Sequence, residues 1–492
     1  MIEDKNLSEE NGGLSAEEED WLEEPANLGL QIPIWISELR SEYLEHEEYK
    51  KAGIILTEGR PNIHTLILRD YQINAIKALE RNEAKGILQM ATGTGKTKTL
   101  IGFLYRYWLK TRKNQDSKEI MPILAIILVP GTSLLIQWKQ TLSHYFNHVY
   151  CLYGYPKAQE ELHNALILYD YGYSSFTIIL ISQQSIKKLF LDPYFKSKTS
   201  FLLIADEVHQ FGSEKTMKLL EKLKTNYKIG LSATPTRQFD EHGTIFLFRQ
   251  FHGIIFRYGL KEAIEEGYLV PYEYEYELCE LSDEEQERYS YLTKKILIEN
   301  SKSEKKRDEE KIEQLLIRRA LFIKKAKSKL FSLEIIFQRL QYRNIKDHIV
   351  VFLEDEEQCN QIIPLVQQFF QNYEIYDAET TPKNRQRIIE EFEQGNIQIV
   401  LTKRCWDQGI DIPSLKAGII VSSTTNERQL IQRIGRLLRP YPGKSLVFVF
   451  DLVVQKYCED LTESNDFDNL FTAEYNRMLF LKENAKMNYT PN

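Results

Sequence analysis

The chain has 492 residues, 42% of them hydrophobic and 27% charged, with a formal net charge of −8. That length exceeds what one core organises, so two to four folded domains are expected, and the composition excludes a disordered or fibrous protein. No run of about 18 uncharged apolar residues occurs, no basic head with an apolar run opens the chain, and the five cysteines are spaced for neither a zinc nor an iron–sulfur site. A cytoplasmic protein of a reducing compartment, without membrane contact, is therefore expected.

Residues 1–26 carry ten acids against the single base Lys5. The negative charge is thus concentrated in one arm, read as a solvated terminus, and the rest of the chain is near neutral, which permits a basic groove. With a helical pattern at Trp35–Tyr49, this makes 1–61 an acidic arm and small helical element.

From Leu66 to about residue 270, short apolar runs (Gly86–Gln89, Leu124–Val129, Thr177–Ile181, Phe201–Ala205) alternate with longer amphipathic segments. Such runs predict a parallel sheet covered on both faces, assigned here to a domain spanning 62–272. The first run leads into Ala91-Thr92-Gly93-Thr94-Gly95-Lys96-Thr97, followed by a helix predicted to start near Thr99. Gly93 and Gly95 allow a turn whose amides face phosphate oxygens. Lys96 reaches the β- and γ-phosphates, and Thr97 ligates magnesium at a helix N-terminus.

The run Phe201–Ala205 ends in Asp206-Glu207-Val208-His209. Open α/β sheets present ligand-binding groups at this end of a strand, so Asp206 is expected to hold magnesium and Glu207 to polarise the attacking water. Ser232-Ala233-Thr234-Pro235 follows the next apolar segment, and its small hydroxyls are suited to bridging two elements beside the nucleotide.

Residues 273–340 read as a helical connector, opened by the capping pattern Ser282-Asp283-Glu284-Glu285. Strand-and-helix alternation resumes over 341–460 without a second phosphate loop. There Gln432-Arg433-Ile434-Gly435-Arg436-Leu437-Leu438-Arg439 sets three arginines three residues apart on adjoining helix faces. Guanidinium forks stay charged and bind phosphate bidentately, so these side chains would complete a site that the first unit begins. The tail, 461–492, holds an amphipathic segment at Phe471–Lys482 that is expected to pack back on a lobe.

These motifs, in this order over residues 62–455, resemble superfamily 2 DExH-box helicases and translocases. The resemblance implies an α/β fold of two tandem RecA-like P-loop lobes, parallel sheets with helices on both faces, with a helical connector and short N- and C-terminal extensions. It implies ATP and Mg2+ in the cleft between the lobes. Leu68-Arg69-Asp70-Tyr71-Gln72 resembles the adenine-reading segment, with Gln72 on the base. Gly93, Thr94, Gly95, Lys96 and Thr97 would hold the nucleotide, and Thr97 and Asp206 the metal. Catalysis would fall to Lys96, Asp206, Glu207, Gln432 and the arginine fingers Arg436 and Arg439, with Arg433 joining the lobes through the acidic box. Gly409 and Asp411, in Gly409-Ile410-Asp411-Ile412-Pro413, would touch the nucleotide sugar and the nucleic-acid backbone. Val129-Pro130 with Gln137-Trp138 resembles a nucleic-acid-contacting motif.

His209 in the box, the segment Tyr258–Pro271 and the connector with Arg318-Arg319-Ala320 are similar to XPB-like and UvsW-like helicases and bacterial restriction-type helicase subunits. An ATP hydrolase acting as helicase or translocase on double-stranded or branched DNA is implied, in repair, recombination or antiviral defence. It is expected to be a monomer in isolation, with a nuclease or other protein subunit as partner. Two alternatives stand beside it: an RNA helicase or remodeller, and a DNA-clamping ATPase subunit of a nuclease-containing complex. Gln432 departs from the RNA-directed DEAD-box pattern, which has histidine there.

Overall fold

The computed structural model describes residues 66–113, 123–152, 156–170, 176–191, 195, 200–237, 240–302, 307–377, 379–403, 412–422, 427–455 and 469–489. The acidic arm, the Trp35–Tyr49 element, Gly409 and Asp411 lie outside them.

Seven apolar segments form the first sheet: β1 (Gly86–Met90), β2 (Ile123–Val129), β3 (Val149–Leu152), β4 (Phe176–Ser182), β5 (Leu202–Asp206), β6 (Tyr227–Ser232) and β7 (Ile254–Tyr258). Their order is β3-β4-β2-β5-β6-β1-β7, with every pairing parallel. The apolar runs do not alternate because both faces are buried. Along β2, Ala125, Ile127 and Val129 enter one hydrophobic cluster while Leu124, Ile126 and Leu128 enter another on the opposite face.

The second sheet comprises β8 (Tyr272–Glu280), β9 (Ile349–Leu353), β10 (Tyr373–Tyr376), β11 (Ile399–Lys403), β12 (Ala417–Ile420), β13 (Val447–Gln455) and β14 (Met487–Tyr489). It is again wholly parallel, in the order β10-β11-β9-β12-β13-β8-β14. Along β9 the same division recurs, with Val350 and Phe352 facing the cluster shared with the first lobe and Ile349, Val351 and Leu353 facing a separate one. The expected α/β class with two parallel-sheet lobes is the observed one.

The connector departs from expectation at its start. Residues 272–280 are not helical but form β8, paired with β13 along its whole length from Tyr272↔Val447 to Glu280↔Gln455. The sequence Tyr-Glu-Tyr-Glu-Tyr-Glu alternates with period two, and its aromatic residues Tyr272 and Tyr274 are buried. Its acids are accommodated by arginines some 60 to 70 residues further on. Arg343 binds Glu273 at 2.9 Å and also Glu275, while Arg339 pairs with Glu275 at 3.5 Å and with Glu277. An acidic alternation becomes a tolerable interior strand only once those cations pack beside it.

The rest of the connector is helical. Ser282 caps the helix Asp283–Asn300 through the expected reciprocal box with Glu285. A second helix, Glu309–Lys324, is capped by Asp308, and Lys329–Tyr342 leads into the second sheet.

The tail helix, Asn469–Asn484, lies against β13 and β8, and β14 then adds to the sheet edge. Its anchor is a fully buried charge cluster. Arg477 donates to both oxygens of Asp451 (2.9 and 3.0 Å) and to Glu474 (2.5 and 3.0 Å). Tyr274 donates to Asp451 at 3.0 Å, and Tyr272 to the carbonyl of Leu481 at 2.6 Å. Removing the cation strands two buried acids, which is costlier than losing one surface pair. Arg477→Met is therefore expected to lower unfolding free energy by about 3–5 kcal/mol, measured as a shift in urea midpoint. A loss as small as that of a surface pair would mean that the cluster is not a stabilising anchor.

Candidate active site

The phosphate loop is built on β1. After Met90 the chain turns through Gly93 (φ +86°) and Gly95 (φ +79°), backbone conformations that disfavour any side chain, and enters the helix Lys96–Lys113. That helix begins at Lys96, three residues before the expected start, so the Lys96 and Thr97 amides lie in its first turn, where donors have no intrahelical acceptor. Thr94 ties the loop by donating its hydroxyl to the carbonyl of Ala91 at 2.7 Å. Lys96 Nζ donates to the carbonyl of Met90 at 3.2 Å and stands 3.9 Å from Glu207 Oε1.

Asp206 ends β5, two strands from β1, and is buried. Its Oδ2 accepts the indole N–H of Trp138 at 2.7 Å and its Oδ1 accepts the backbone N–H of Glu207 at 3.0 Å. Burial, and then the neighbouring Glu207 carboxylate, push the Asp206 carboxyl up to about 6, while Lys96 and the two donors pull it back. Glu207 itself sits in the left-handed region (φ 48°, ψ 53°), a conformation costing a non-glycine residue about 1–3 kcal/mol that surrounding structure must enforce. This bend turns its carboxylate out of the strand line and toward Lys96.

Ser232, at the end of β6, joins this acid to the next motif. It donates to Glu207 Oε2 at 3.4 Å, lies 2.9 Å from His209 Nδ1, and accepts the backbone N–H of Thr234 at 3.1 Å. With the hydroxyl proton directed at Glu207, the consistent arrangement has His209 Nδ1 donating to Ser232. His209 is buried, and its carbonyl accepts from Arg237 at 2.5 Å.

The second lobe contributes the helix Glu427–Leu437 and the turn after it. Gly435 is what lets this helix reach the first lobe: a β-carbon there would lie 2.8 Å from both Cβ and the carbonyl oxygen of Thr92, and Gly93 faces the Gly435 carbonyl and the Arg439 side chain. The end of the helix is held by Lys444, whose Nζ donates to the carbonyls of Leu437 (2.5 Å) and Pro413 (2.8 Å). Burial pushes its ammonium down to about 7.

A cavity of about 420 Å3 results, lined from the first lobe by Gly93, Gly95, Lys96, Thr97, Asp206 and Glu207, and from the second by Gln432, Arg436 and Arg439. Thr94 is buried just behind the loop.

Three of the residues expected at the site make contacts inside the protein. Gln72 is buried, accepting from the Arg69 N–H (2.9 Å) and donating to the carbonyls of Thr94 (3.1 Å) and Gly95 (3.2 Å). Its amide therefore braces the phosphate loop, and Gly95 is the residue that lets it approach. Trp138 is buried against Asp206, whereas Gln137 and Pro130 line the cavity. Arg433 is buried in the second lobe, over the ring of Phe352 at 5.1 Å and 3.4 Å from the carbonyl of Ser422.

The sequence reading missed Trp138 as a partner of Asp206, Gly435 as a contact and Lys444 as a brace. Only Gly435 left a local signal, since a glycine inside a helix costs about 1 kcal/mol relative to alanine and calls for a packing reason.

The donor set suits a magnesium nucleotide. Asp206 and Thr97 offer hard oxygens, and Lys96, Arg436 and Arg439 supply positive charge around one space. Among the described residues, no group of three His, Cys, Asp or Glu side chains could form an all-protein metal cage. Mg2+ shared between one carboxylate, phosphate oxygens and water needs none.

The family described as "Type III restriction enzyme, res subunit" matches residues 65–237, and "Helicase conserved C-terminal domain" matches residues 331–441. DNA 3'-5' translocase XPB2 of Sulfurisphaera tokodaii is 27% identical over 435 residues, covering 83% of this chain and 87% of the relative. Among solved structures, the ATP-dependent Type ISP restriction-modification enzyme LlaBIII bound to DNA has a TM-score of 0.59 at 16% identity, over 86% of this chain and 30% of that one. The Hef helicase domain of Pyrococcus furiosus has a TM-score of 0.53 at 14% identity, over 80% of this chain and 97% of that one. At these identities the structural likenesses speak to the two-lobed fold.

The Gly435 contact generates a direct test. In Gly435→Ala the added methyl meets Thr92 when the lobes are together, so nucleoside triphosphate hydrolysis should fall about tenfold or more, while nucleotide binding to the phosphate loop changes little. Steady-state hydrolysis together with a fluorescent-nucleotide titration checks this, and an unchanged kcat would rule the contact out of catalysis.

Proposed function

Because the chain belongs to superfamily 2 of the helicases and translocases, we propose that it uses ATP hydrolysis between its lobes to move along or remodel double-stranded or branched DNA. The observation that carries this reading is the divided cavity: Lys96, Asp206 and Glu207 come from one sheet and Gln432, Arg436 and Arg439 from the other. Stabilising a transferring phosphoryl group then requires both lobes at once, so each turnover is linked to their relative position. Magnesium held by Thr97 and Asp206 would offset phosphate charge. Glu207, bent toward Lys96 and hydrogen-bonded by Ser232, would orient the attacking water.

The choice of DNA is supported by the translocase of Sulfurisphaera tokodaii, which this chain matches over most of both lengths. The chain spans under a third of the restriction enzyme LlaBIII. The res-subunit match favours a second reading, in which this chain is a DNA-clamping ATPase subunit of a nuclease-containing complex. Repair, recombination or antiviral defence is the setting that the first reading proposes. Among the described residues, no helix is long and apolar enough to cross a membrane.

Glu207→Gln should reduce ATP turnover by about 100-fold or more with nucleotide binding retained, and Lys96→Ala should weaken both. The wild-type chain, assayed with duplex DNA, forked DNA and structured RNA, is expected to show DNA-stimulated ATPase with strand displacement or triplex displacement. Selective stimulation by RNA would overturn the DNA reading. DNA-stimulated turnover without displacement would favour the clamping subunit.

A further inference from the structure

We propose that Trp138 is a positioning residue for the divalent cation, aiming Asp206 and tying the segment Pro130–Trp138 to the nucleotide site. The inference rests on the reading of Asp206 as the magnesium-holding acid.

The argument begins with sheet register. β2 and β5 are neighbours, with Leu128 beside Ala205, so the chain leaves β2 at Pro130 next to the strand end that carries Asp206. The helix Thr132–Ser143 then folds back over the sheet with Leu135, Trp138 and Leu142 buried along one face. Positions three and seven residues apart lie on one stripe of a helix, so this stripe fixes the helix's rotation.

That rotation directs the indole N–H onto Asp206 Oδ2 at 2.7 Å, a short bond to a buried carboxylate. Oδ1 is held separately by the Glu207 amide at 3.0 Å. With one donor fixed on each oxygen, the plane of the carboxylate is set, and Asp206 lines the cavity with acceptor capacity left over.

An indole suits this task for three reasons. It is a donor only, it carries no charge to compete with the cation for the acid, and its ring is rigid. A lysine or arginine at the same place would neutralise Asp206 and oppose metal binding.

The same helix also walls the cavity, since Gly131, Ser133, Leu134 and Gln137 line it together with Pro130. One rigid element therefore carries both a face of the cavity and the bond that orients the acid. A ligand that shifts this helix alters the aim of Asp206, which provides a physical route from occupancy of the segment to the metal.

The test compares Trp138→Phe, and a variant bearing β-(3-benzothienyl)alanine at position 138, with the wild-type chain. The second keeps the bicyclic shape and exchanges only N–H for sulfur, so it reports on the hydrogen bond even where phenylalanine leaves a damaging void. Binding of a fluorescent ADP is titrated with Mg2+ and with EDTA, and Leu166→Ala, which opens a void in the other hydrophobic cluster of the same lobe, serves as a control for general loss of packing.

The wild-type chain should bind ADP more tightly with Mg2+. Both Trp138 variants should raise the Mg2+ concentration needed for that gain by about tenfold, within the range seen when outer partners of metal ligands are removed. Their EDTA affinities should match the wild type, and Leu166→Ala should leave the Mg2+ requirement unchanged. An unaltered Mg2+ requirement in the benzothienyl variant overturns the role of Trp138. A wild-type chain that gains nothing from Mg2+ overturns the magnesium reading itself, and the two failures are distinguishable.

Discussion

Contact between the phosphate loop and the arginine-bearing helix is the constraint on which the molecule depends. Thr92 and Gly93 meet Gly435 with no room for a side chain, and the helix can approach so closely only because its backbone is bare at that point. The contact sets how Arg436 and Arg439 stand toward the phosphate loop, and it brings Gln432 into the same cavity. Supporting bonds converge on it from both sides. Gln72 braces the loop from behind, and Lys444 holds the far end of the helix through two carbonyls.

Within the first lobe, chemistry is concentrated at the carboxyl ends of β1, β5 and β6, as parallel α/β sheets arrange it. These adjacent ends bring Lys96, Asp206, Glu207 and Ser232 together from positions more than a hundred residues apart. Burial makes the arrangement costly, since Asp206 and His209 are both withdrawn from water. It is sustained by specific donors: Trp138 and the Glu207 amide on Asp206, and the hydroxyl of Ser232 between Glu207 and His209. The left-handed backbone of Glu207 is enforced within this network.

Much of this was legible beforehand. Apolar runs announced buried parallel strands, the loop at 91–97 announced a phosphate cradle, and the end of Phe201–Ala205 announced a carboxylate at a strand terminus. The reading failed where a side chain's role depends on a distant partner. The Tyr-Glu alternation falls at the start of the segment expected to be a helical connector, yet it forms a strand whose acids Arg339 and Arg343 neutralise within the sheet. The inward bonds of Gln72 to the phosphate loop and of Trp138 to Asp206 join segments far apart in the chain and left no mark on the local sequence.

Residue type and local order alone determined that the chain builds two parallel-sheet lobes and carries a phosphate loop, a strand-end acid pair and an arginine-bearing helix. Periodicity and turn chemistry act over a few residues, so they are written in the chain itself. Tertiary structure alone decided which oxygen of Asp206 receives the indole, why position 435 must be glycine, and how β8 crosses into the second sheet. Those outcomes depend on distances between segments brought together only by folding, and a hydrogen bond or a steric contact is decided within a few tenths of an ångström.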